Sequence, residues 1–480
     1  MLTERGKGET EKHRPIKASL VEFGITFALD ETSPLPLYEQ LYRHIAREIL
    51  EGRLTGGVRL PSRRALSHHL GISEQTVGNA LDLLKAEGFL LSRPRQGLYV
   101  APMNPLPPLP AQDAHRPAVR QPKPRPLYDF SPQGVDTGLF PHKVWIKLLR
   151  DSLLDHPELL NKGHAKGEPS LRAALASFLY QYRAVRCQAE QIIIGSGVDQ
   201  LLGVLGLLIP PQSRVALEDP GYPEAASALS RLGHTTLPIP LNEEGPSLAA
   251  LEASRAALLY ITPSHQFPTG ISMPAGRRTA LLHWAKAGGR YLIEDDYDSE
   301  FRYASRPLPA LQGMDGGQQV VYIGTFSRSL APGLRVAYMA LPPPLLARYE
   351  ALSLRSGDAV SRFEQHALGL LISQGHYARH LRRAGNVYQK RCQRLCDLLL
   401  DIPGSSVQGQ DAGLHFLFSI SGRQEAELVS KAARAGVTLK ALHDYSAQAR
   451  LPQALVLGFA GLADAHLEDA VSALRQAWGV

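Results

Sequence analysis

The sequence predicts an α/β protein in two parts, a small N-terminal domain of helices with a hairpin and a large domain built on a mostly parallel sheet. Two observations predict this. A proline-rich stretch divides the chain, and the hydrophobic pattern changes across it, from helical spacing to short apolar runs that end in polar clusters. We expect an N-terminal arm (1–32), a first domain (33–102), a linker (103–127) and a second domain (128–480).

The bulk composition is that of an ordinary soluble protein, with 44% hydrophobic and 20% charged residues. The longest apolar run, Leu201 to Ile209, is too short to span a membrane, and residues 1–14 lack the apolar stretch of a signal peptide. We therefore expect a cytoplasmic protein that does not contact membranes. The net charge of +7 is compatible with nucleic-acid binding but does not demonstrate it.

The three cysteines are too few and too scattered for a disulfide framework. Cys392 and Cys396 lie four residues apart on a predicted helix. Two thiols without further ligands nearby are more typical of a helix core than of a metal site. We predict that the protein has no metal site.

The linker is predicted from its composition. Residues 102–126 contain nine prolines and a single acid, Asp113, which favours extended and solvated backbone. Residues 1–32 show no strong periodicity, so we expect a loosely ordered arm there.

Three helices are predicted in the first domain. The first presents an apolar residue every fourth position, at Leu37, Leu41, Ile45 and Ile49. Ser62 is placed to cap a second helix that ends at Gly71, and Ser73 to cap a third that ends at Gly88. Two helices joined by a short glycine turn predict a helix-turn-helix.

A hairpin follows the third helix. Its arms are Phe89 to Leu91 and Leu98 to Val100, and its polar tip includes Arg95. The third helix turns Gln75, Asn79 and Asp82 outwards, which suits base edges in a major groove, while Ser62, Arg64 and Arg95 can reach phosphates. The pattern alone also allows a small helical interaction module whose arginines are merely solvated.

Residues 35–102 closely resemble the winged-helix DNA-binding domain of the GntR family, whose landmarks appear in order as LPSRR, LGISEQTV and AEG. The resemblance implies binding to double-stranded DNA. In that family, arginines that contact DNA commonly occupy the positions of Glu74 and Gly78. We therefore expect an atypical operator or weaker non-specific affinity. The contact candidates are Ser62, Arg64, Gln75, Thr76, Asn79 and Arg95.

The second domain shows repeated short apolar runs that end in small, polar or charged clusters, as expected of a parallel α/β sheet with ligand groups beyond its strand ends. The predicted strands are Ile192–Ile194, Val215–Leu217, Leu258–Ile261, Tyr291–Ile293 and Val320–Ile323.

A phosphate site is predicted at these strand ends. Ser196 and Gly197 open an apolar helix, whose free amides suit a phosphate. Thr325, Ser327 and Arg335 can add two hydroxyls and a fixed positive charge. A glycine-serine helix start is more often a simple cap, and a buried arginine is more often part of a structural ion pair. The prediction therefore depends on the occurrence of all these features together, in this order along the chain.

From about Asp129 onwards the chain resembles the MocR/GabR type of regulator, a GntR-like head fused to a fold-type-I aminotransferase-like body that binds pyridoxal phosphate. The motifs are SHQFPTG (264–270), EDDYDSEF (294–301), GTFSRSLAPGLR (324–335) and LGFAGL (457–462). The resemblance implies a smaller C-terminal α+β domain and a homodimer with each head near the partner's body. It assigns Asp295 to the pyridine nitrogen, Tyr297 to the ring hydroxyl, Tyr222 to the ring region, and Ser196, Gly197, Thr325, Ser327 and Arg335 to the phosphate.

The chain departs from this family at Arg328, where the family has the lysine that forms the Schiff base. A guanidinium stays protonated and cannot attack an aldehyde as a lysine amine can. The same lysine moves the substrate proton, so we expect no ordinary transamination. Leu455 and Val456 also stand where related aminotransferases carry an arginine that binds the substrate carboxylate.

Three hypotheses follow. In the first, the body senses pyridoxal phosphate, its amine form or a preformed adduct without a covalent bond. In the second, a degenerate body dimerises and binds another small-molecule effector or none. In the third, an aminotransferase uses a surrogate amine, for which Lys162 and Lys166 are candidates.

Overall fold

The structure is a computed structural model that describes residues 16–20, 25–30, 33, 35–102, 126–303, 308–447 and 451–480. It divides into two compact units, Met1–Lys123 and Pro124–Val480. Most of the predicted linker, residues 103–125, and the predicted arm up to residue 15 lie outside the described residues.

The small unit contains three helices and two hairpins in its described part. The helices are α1 (Leu37–Leu50), α2 (Arg63–Leu70) and α3 (Glu74–Ala86). The strands are β1 (Ile16–Leu20), β2 (Ile25–Leu29), β3 (Leu90–Arg93) and β4 (Gly97–Val100). The apolar residues that predicted the three helices lie in one core, where Leu41, Leu70 and Leu84 are fully buried.

The predicted helix caps are present. Ser62 Oγ accepts a hydrogen bond from the Ala65 amide at 3.2 Å, and Ser73 Oγ accepts one from the Thr76 amide at 3.1 Å. Each bond satisfies an amide that the first helical turn leaves without a backbone partner. Gly71 ends α2 in the left-handed conformation, with φ of 65°. These local signals therefore set the helix-turn-helix geometry.

Within the predicted arm, residues 16–20 and 25–29 form β1 and β2, which pair antiparallel with Ile16 opposite Leu29. Leu29 is buried in the core of the small unit. An isolated two-stranded hairpin is marginal in water, so packing against other elements must stabilise it. The local sequence pattern does not contain that information.

The large unit contains an eight-stranded sheet in its described part. Its strands are β6 (Ile192–Gly195), β7 (Arg214–Asp219), β8 (Thr235–Asn242), β9 (Gly245–Pro246), β10 (Leu258–Ile261), β11 (Tyr291–Asp296), β12 (Val320–Thr325) and β13 (Ala337–Ala340). Their order is β6-β13-β12-β11-β10-β7-β8-β9. Strands β7, β8, β10, β11 and β12 run parallel, whereas β13 is antiparallel to β12 and β6. All five predicted strands are confirmed.

Helices cover the sheet, and the five predicted strands are buried along almost their whole length, which is why they appear in the sequence as continuous apolar runs, whereas β8 near one edge is largely exposed. The helices of this layer are α4 (His142–Asp155), α5 (Pro169–Arg183), α6 (Val198–Leu208), α7 (Pro223–Ser230), α8 (Leu248–Ser254), α9 (Ala275–Gly288), α10 (Leu311–Asp315), α11 (Pro343–Ala351) and α12 (Arg362–Ser373).

A smaller α+β part forms the C-terminal end, as the resemblance implies. Its antiparallel sheet joins β14 (Ser405–Gln408), β15 (His415–Ile420), β17 (Lys440–Ala441) and β18 (Leu455–Gly458). A short parallel pair links β5 (Tyr128–Asp129) to β16 (Val437–Thr438). The helices of this part are α13 (His376–Leu400), α14 (Glu425–Arg434) and α15 (Leu467–Trp478). Among the described helices, none has both the length and the apolar character needed to cross a membrane.

Candidate functional site

A cavity of about 300 Å³ opens at the carboxyl edge of the parallel sheet, beyond β10, β11 and β12 and beside the start of α6. This is the place where doubly wound folds hold their ligands, because the loops that leave parallel strands converge there. Most of the predicted cofactor residues line it, namely Gly197, Tyr222, Asp295, Tyr297, Thr325, Ser327 and Arg335, and Arg328 lines it too.

One end of the cavity suits a phosphate. Gly197 begins α6 with φ of 147°, and a Cβ at this position would lie 2.7 Å from Arg335 Nη2, so a side chain here would displace the guanidinium. Thr325 Oγ1 donates a hydrogen bond to Ser327 Oγ at 3.1 Å. The helix start, two hydroxyls and a guanidinium together form an anion site.

The sequence prediction also placed Ser196 at the phosphate, but Ser196 is not among the residues that line the cavity. Its amide donates to Gln200 Oε1 at 3.0 Å. Asp199, which no prediction included, lines the same end. The role of Ser196 therefore stays a prediction.

The cavity lining also includes a buried acid. Asp295 is 5% exposed, Tyr260 donates a hydrogen bond to its Oδ2, and its Oδ1 is buried without a hydrogen-bond partner among the described residues. Burial raises the pKa of Asp295 to about 7; the Tyr260 hydrogen bond opposes that rise, and the carboxylates of Asp296, Asp298 and Glu218 add to it. The cavity lining thus includes a buried acid, one of whose oxygens has no hydrogen-bond partner among the described residues.

Aromatic side chains enclose this part of the cavity. Tyr222 meets Phe267 edge to face, with 6.2 Å between ring centroids. The Tyr297 hydroxyl donates a hydrogen bond to the His265 carbonyl at 2.9 Å. The predicted bond between Tyr297 and the ring hydroxyl of the cofactor would therefore either replace this hydrogen bond or be added to it. Behind Tyr297, buried His265 and Asp298 pair at 3.0 Å.

Sequence reasoning missed Tyr260, Thr262 and Phe267, which also line the cavity. A signal for the first two was available, because residues two apart on a strand point to the same face and Tyr260 and Thr262 lie at the end of β10. Phe267 lies in the loop that follows, where no periodicity indicates direction.

Arg328 is half-buried on the cavity wall. Its Nη1 donates to the Gly134 carbonyl at 3.4 Å, and it has no ion-pair partner in the described part of the chain. Burial lowers the pKa of its guanidinium, while the Asp298 carboxylate opposes this change. The position thus carries a desolvated cation instead of a nucleophile.

Neither candidate surrogate amine lines the cavity. Lys166 Nζ lies 2.8 Å from Glu350 Oε1 in an ion pair, and Lys162 is exposed. Leu455 and Val456 are fully buried in β18, so this strand presents no charged group at the position of the family's carboxylate-binding arginine.

In the small unit, α3 exposes the predicted polar face. Gln75 Nε2 donates to Asn79 Oδ1 at 3.0 Å, and both side chains are exposed. Thr76 is half-buried and its hydroxyl bonds Ser73 Oγ at 2.8 Å. Arg64 is exposed near the start of α2.

Arg95 is exposed at the tip of the wing, in the left-handed conformation with φ of 62°. Gly78, predicted to face outwards, is buried, because the Arg63 guanidinium covers it. A Cβ at Gly78 would lie 2.8 Å from Arg63 Cζ. Arg63 therefore fills the space that a larger residue at position 78 would need, a contact that sequence reasoning missed.

Comparisons with known proteins identify both units. The family described as aminotransferase class I and II matches residues 134–474, and the gntR family of bacterial regulatory proteins matches residues 37–100. The structure is similar to a multiple substrate aminotransferase from Thermococcus profundus, with a TM-score of 0.66 and 23% identity over 73% of this chain and 90% of that one. It is also similar to the α-aminoadipate aminotransferase LysN from Thermus thermophilus, with a TM-score of 0.64 and 27% identity over 73% and 92%.

Relatives match along nearly the whole chain. The chain is 36% identical to the uncharacterized HTH-type transcriptional regulator YdeL of Bacillus subtilis, over 95% of this chain and all of that protein. It is 32% identical to the probable rhizopine catabolism regulatory protein MocR of Rhizobium meliloti (94% and 95% covered). It is 32% identical to the pyridoxine biosynthesis regulator PdxR of Corynebacterium glutamicum (93% and 96% covered).

A gntR-type winged helix joined to an aminotransferase-type unit defines a class of protein, the DNA-binding transcription regulator with an aminotransferase-like domain. Within this class, the chain belongs to the MocR/PdxR-type HTH transcriptional regulators.

Proposed function

We propose that the large unit senses pyridoxal phosphate or a close relative without a covalent bond, and that ligand occupancy controls DNA binding by the small unit. The observation that carries this proposal is that one cavity is lined both by Asp295, a buried acid with one unpartnered oxygen, and by the hydroxyls, helix start and guanidinium that suit an anion. A protonated pyridine nitrogen and a phosphate on one small molecule match these two features.

The residues of the cavity fit that cofactor. Gly197, Thr325, Ser327 and Arg335 would hold the phosphate, and Asp295 would keep the ring nitrogen protonated, which makes the ring electron-poor. Tyr222, Tyr297 and Phe267 would enclose the ring and exclude water. LysN, whose large domain resembles this one, is described in complex with N-(5'-phosphopyridoxyl)-L-leucine.

Arg328 argues against covalent binding and turnover. It supplies neither the amine that captures an aldehyde nor a base that moves a proton at a substrate carbon. Lys162 and Lys166, the candidate surrogate amines, do not line the cavity of their own chain, and the family resemblance would bring them to the partner's cavity instead. The polar lining in turn favours a ligand site over a body that only dimerises, because Asp295, Thr325, Ser327 and Arg335 line one cavity and together suit a charged ligand.

For DNA binding we propose that Gln75 and Asn79 read base edges and that Ser62, Arg64, Thr76 and Arg95 bind the backbone. Arg63, which lies over Gly78, would add a guanidinium to the exposed face of α3. This contact would compensate in part for the missing arginines at positions 74 and 78. We further propose a homodimer with each head near its partner's body, which rests on the family resemblance.

A spectroscopic titration tests the proposed ligand. Purified full-length protein is titrated with pyridoxal 5'-phosphate, and visible spectra are recorded before and after borohydride. We expect saturable binding without a new band that borohydride abolishes. An Arg328→Lys variant should gain such a band, because an amine then stands in the cavity.

Three outcomes contradict the proposal in different ways. A reducible band in the unaltered protein that disappears in Lys162→Met or Lys166→Met would establish a surrogate amine. No saturable binding would favour a body that only dimerises or takes another effector. Binding that leaves operator affinity unchanged in electrophoretic shifts would separate the ligand site from regulation.

A further inference from the structure

We propose that Arg328 binds a carboxylate of the ligand. The cavity would then prefer a phosphorylated pyridine whose acid group is attached, directly or through a nitrogen, at the ring position where pyridoxal phosphate has its aldehyde. This inference rests on the proposed function and names the ligand class of the same cavity. The exchange of lysine for arginine would then convert a covalent anchor into an ionic one.

The first argument is a comparison among the enclosed arginines of the large unit. Arg183 Nε lies 2.7 Å from Asp296 Oδ2, and Arg391 pairs with Asp136 at 2.8 Å and Asp464 at 2.6 Å. Arg278 has no carboxylate partner but donates to three carbonyls, those of Met273, Pro309 and Pro263. Each of these guanidiniums is satisfied within the protein.

Arg328 differs from all of them. A guanidinium has five N–H donors, and Arg328 uses one of them in a long contact of 3.4 Å to the Gly134 carbonyl. Arg328 is half-buried and forms no ion pair among the described residues, so most of its donors are left for water or a ligand to satisfy. Arg328 also lines a cavity that is large enough to hold such a ligand.

The second argument is the distribution of charge around the cavity. Arg335 lies against Gly197 at the phosphate end, so the phosphate accounts for that arginine. The carboxylates in the lining, Asp199 and Asp295, form no ion pair with either arginine. Arg328 is therefore a second cation of the lining that forms no direct ion pair, and a carboxylate on the ligand would give it one.

The third argument is geometric suitability. The planar fork of a guanidinium matches the two oxygens of a carboxylate, which a lysine ammonium does not. Strand β18 cannot take this role, because Leu455 and Val456 are apolar and fully buried. Among the described residues of the lining, Arg328 is thus the group suited to a carboxylate.

Two kinds of ligand carry this chemistry. The acid can sit directly on the ring, as in 4-pyridoxic acid 5'-phosphate, or it can belong to an amino acid joined to the ring through its nitrogen, as in N-(5'-phosphopyridoxyl)-L-alanine. Both have a phosphate, a pyridine nitrogen and a carboxylate. They differ in the distance between ring and acid.

Isothermal titration calorimetry with full-length protein tests the inference. The probes are these two acids and pyridoxamine 5'-phosphate, which has the same phosphate and ring but no acid. We expect at least one acid to bind about 10- to 100-fold more tightly than pyridoxamine 5'-phosphate, the range for charge-assisted hydrogen bonds. The acid that binds more tightly shows whether the ligand carries its carboxylate on the ring or on an attached amino acid.

The variant Arg328→Met should abolish this preference and leave the affinity for pyridoxamine 5'-phosphate within about 3-fold of the original, because it keeps the bulk and removes the charge. Arg328→Gln is a second variant in case the first misfolds, and exposed Arg348→Met is the matched control. Far-ultraviolet circular dichroism checks folding.

Equal affinities for all three probes, or a preference that survives in both Arg328 variants, would overturn the carboxylate inference and leave the proposed function intact. Failure of every phosphorylated pyridine to bind the unaltered protein would overturn both. An acid preference lost in Arg348→Met as well as in Arg328→Met would also contradict the assignment.

Discussion

The recognition helix α3 and the ligand cavity both carry residues that depart from their families, but the two departures have different physical settings. Glu74 is exposed at the first turn of α3 and contacts solvent. Arg328 lies in a cavity wall, where burial lowers the pKa of its guanidinium and no ion-pair partner is present among the described residues. We therefore expect the surface change to alter affinity for DNA, and we propose that the cavity change selects the ligand.

The comparison predicts large effects from cavity residues and small ones from α3. The largest should come from Arg335→Met, since this removes the fixed charge at the phosphate end. We expect the affinity for pyridoxal 5'-phosphate to fall about 100-fold or more, because charge-assisted hydrogen bonds to a phosphate are lost. Calorimetry measures this effect, with Arg348→Met as control. A loss below threefold would contradict our placement of the phosphate.

Asp295→Asn should weaken ligand binding by about 10- to 100-fold, because a carboxylate that pairs with a pyridinium becomes a neutral amide. In the unaltered protein, affinity should rise between pH 6 and pH 8 as Asp295, whose pKa is raised to about 7, ionises. The ligand's own titration is common to both proteins, so the difference between them isolates Asp295. Identical pH profiles would show that Asp295 does not contact the ligand.

The same variant should stabilise the ligand-free protein, and more at pH 8 than at pH 5. The pKa of Asp295 is raised by folding, so the folded protein binds more protons than the unfolded chain between about pH 4 and pH 7. Stability attributable to this group therefore decreases as pH rises through that window. Thermal melts of both proteins at the two pH values measure it; a variant destabilised at pH 8 would mean that the hydrogen bond from Tyr260 to Asp295 outweighs the cost of the buried charge.

Asn79→Ala should reduce operator affinity by about 1–3 kcal/mol and relax sequence preference, without a change in ligand affinity. Gln75, its hydrogen-bond partner at 3.0 Å, should give a similar loss when changed to alanine. Fluorescence anisotropy with operator and scrambled DNA separates the two effects. An equal loss on both DNAs would show that these residues contact the backbone rather than the bases.

The smallest effect is expected from Glu74→Arg. It should steepen the salt dependence of non-specific DNA binding by about one unit of log–log slope, because one phosphate contact is added. It should also cost about 0.3–1 kcal/mol of stability, since an acid is lost at a helix N-terminus. Anisotropy at several salt concentrations and a thermal melt measure both. A change in ligand affinity in this variant would contradict our expectation that residues on the surface of α3 act on DNA binding alone.

Local signals predicted most of the elements. Ser62 and Ser73 are caps that act within their own helix turn, and the apolar runs of the parallel strands reflect burial on both faces. The caps and the apolar runs depend on residues that are close together in the sequence, so the sequence pattern predicts them. The hairpin Ile16–Leu29 was missed, because it depends on packing that only the folded unit supplies.

The candidate site divides in the same way. Gly197, Asp295, Thr325 and Arg335 lie in motifs at strand ends, and the resemblance assigned them before the cavity was described. Tyr260 was missed although the alternation along β10 placed it on the same face as Thr262, whereas Phe267 lies in a loop whose course the sequence pattern does not indicate. Arg63 over Gly78 is another contact between separate helices that no motif records.

The sequence by itself determined the two-part organisation, the helix caps, the strand ends and the presence of arginine at position 328, because each depends on residue type and short-range spacing. Only the tertiary structure decided that Arg328 faces a cavity without a counter-ion, that Asp295 keeps one oxygen unpartnered, and that Arg335 lies against Gly197. Those facts depend on which groups from distant parts of the chain come within hydrogen-bond distance of each other. The separation of two residues along the sequence does not give the distance between them in the folded protein.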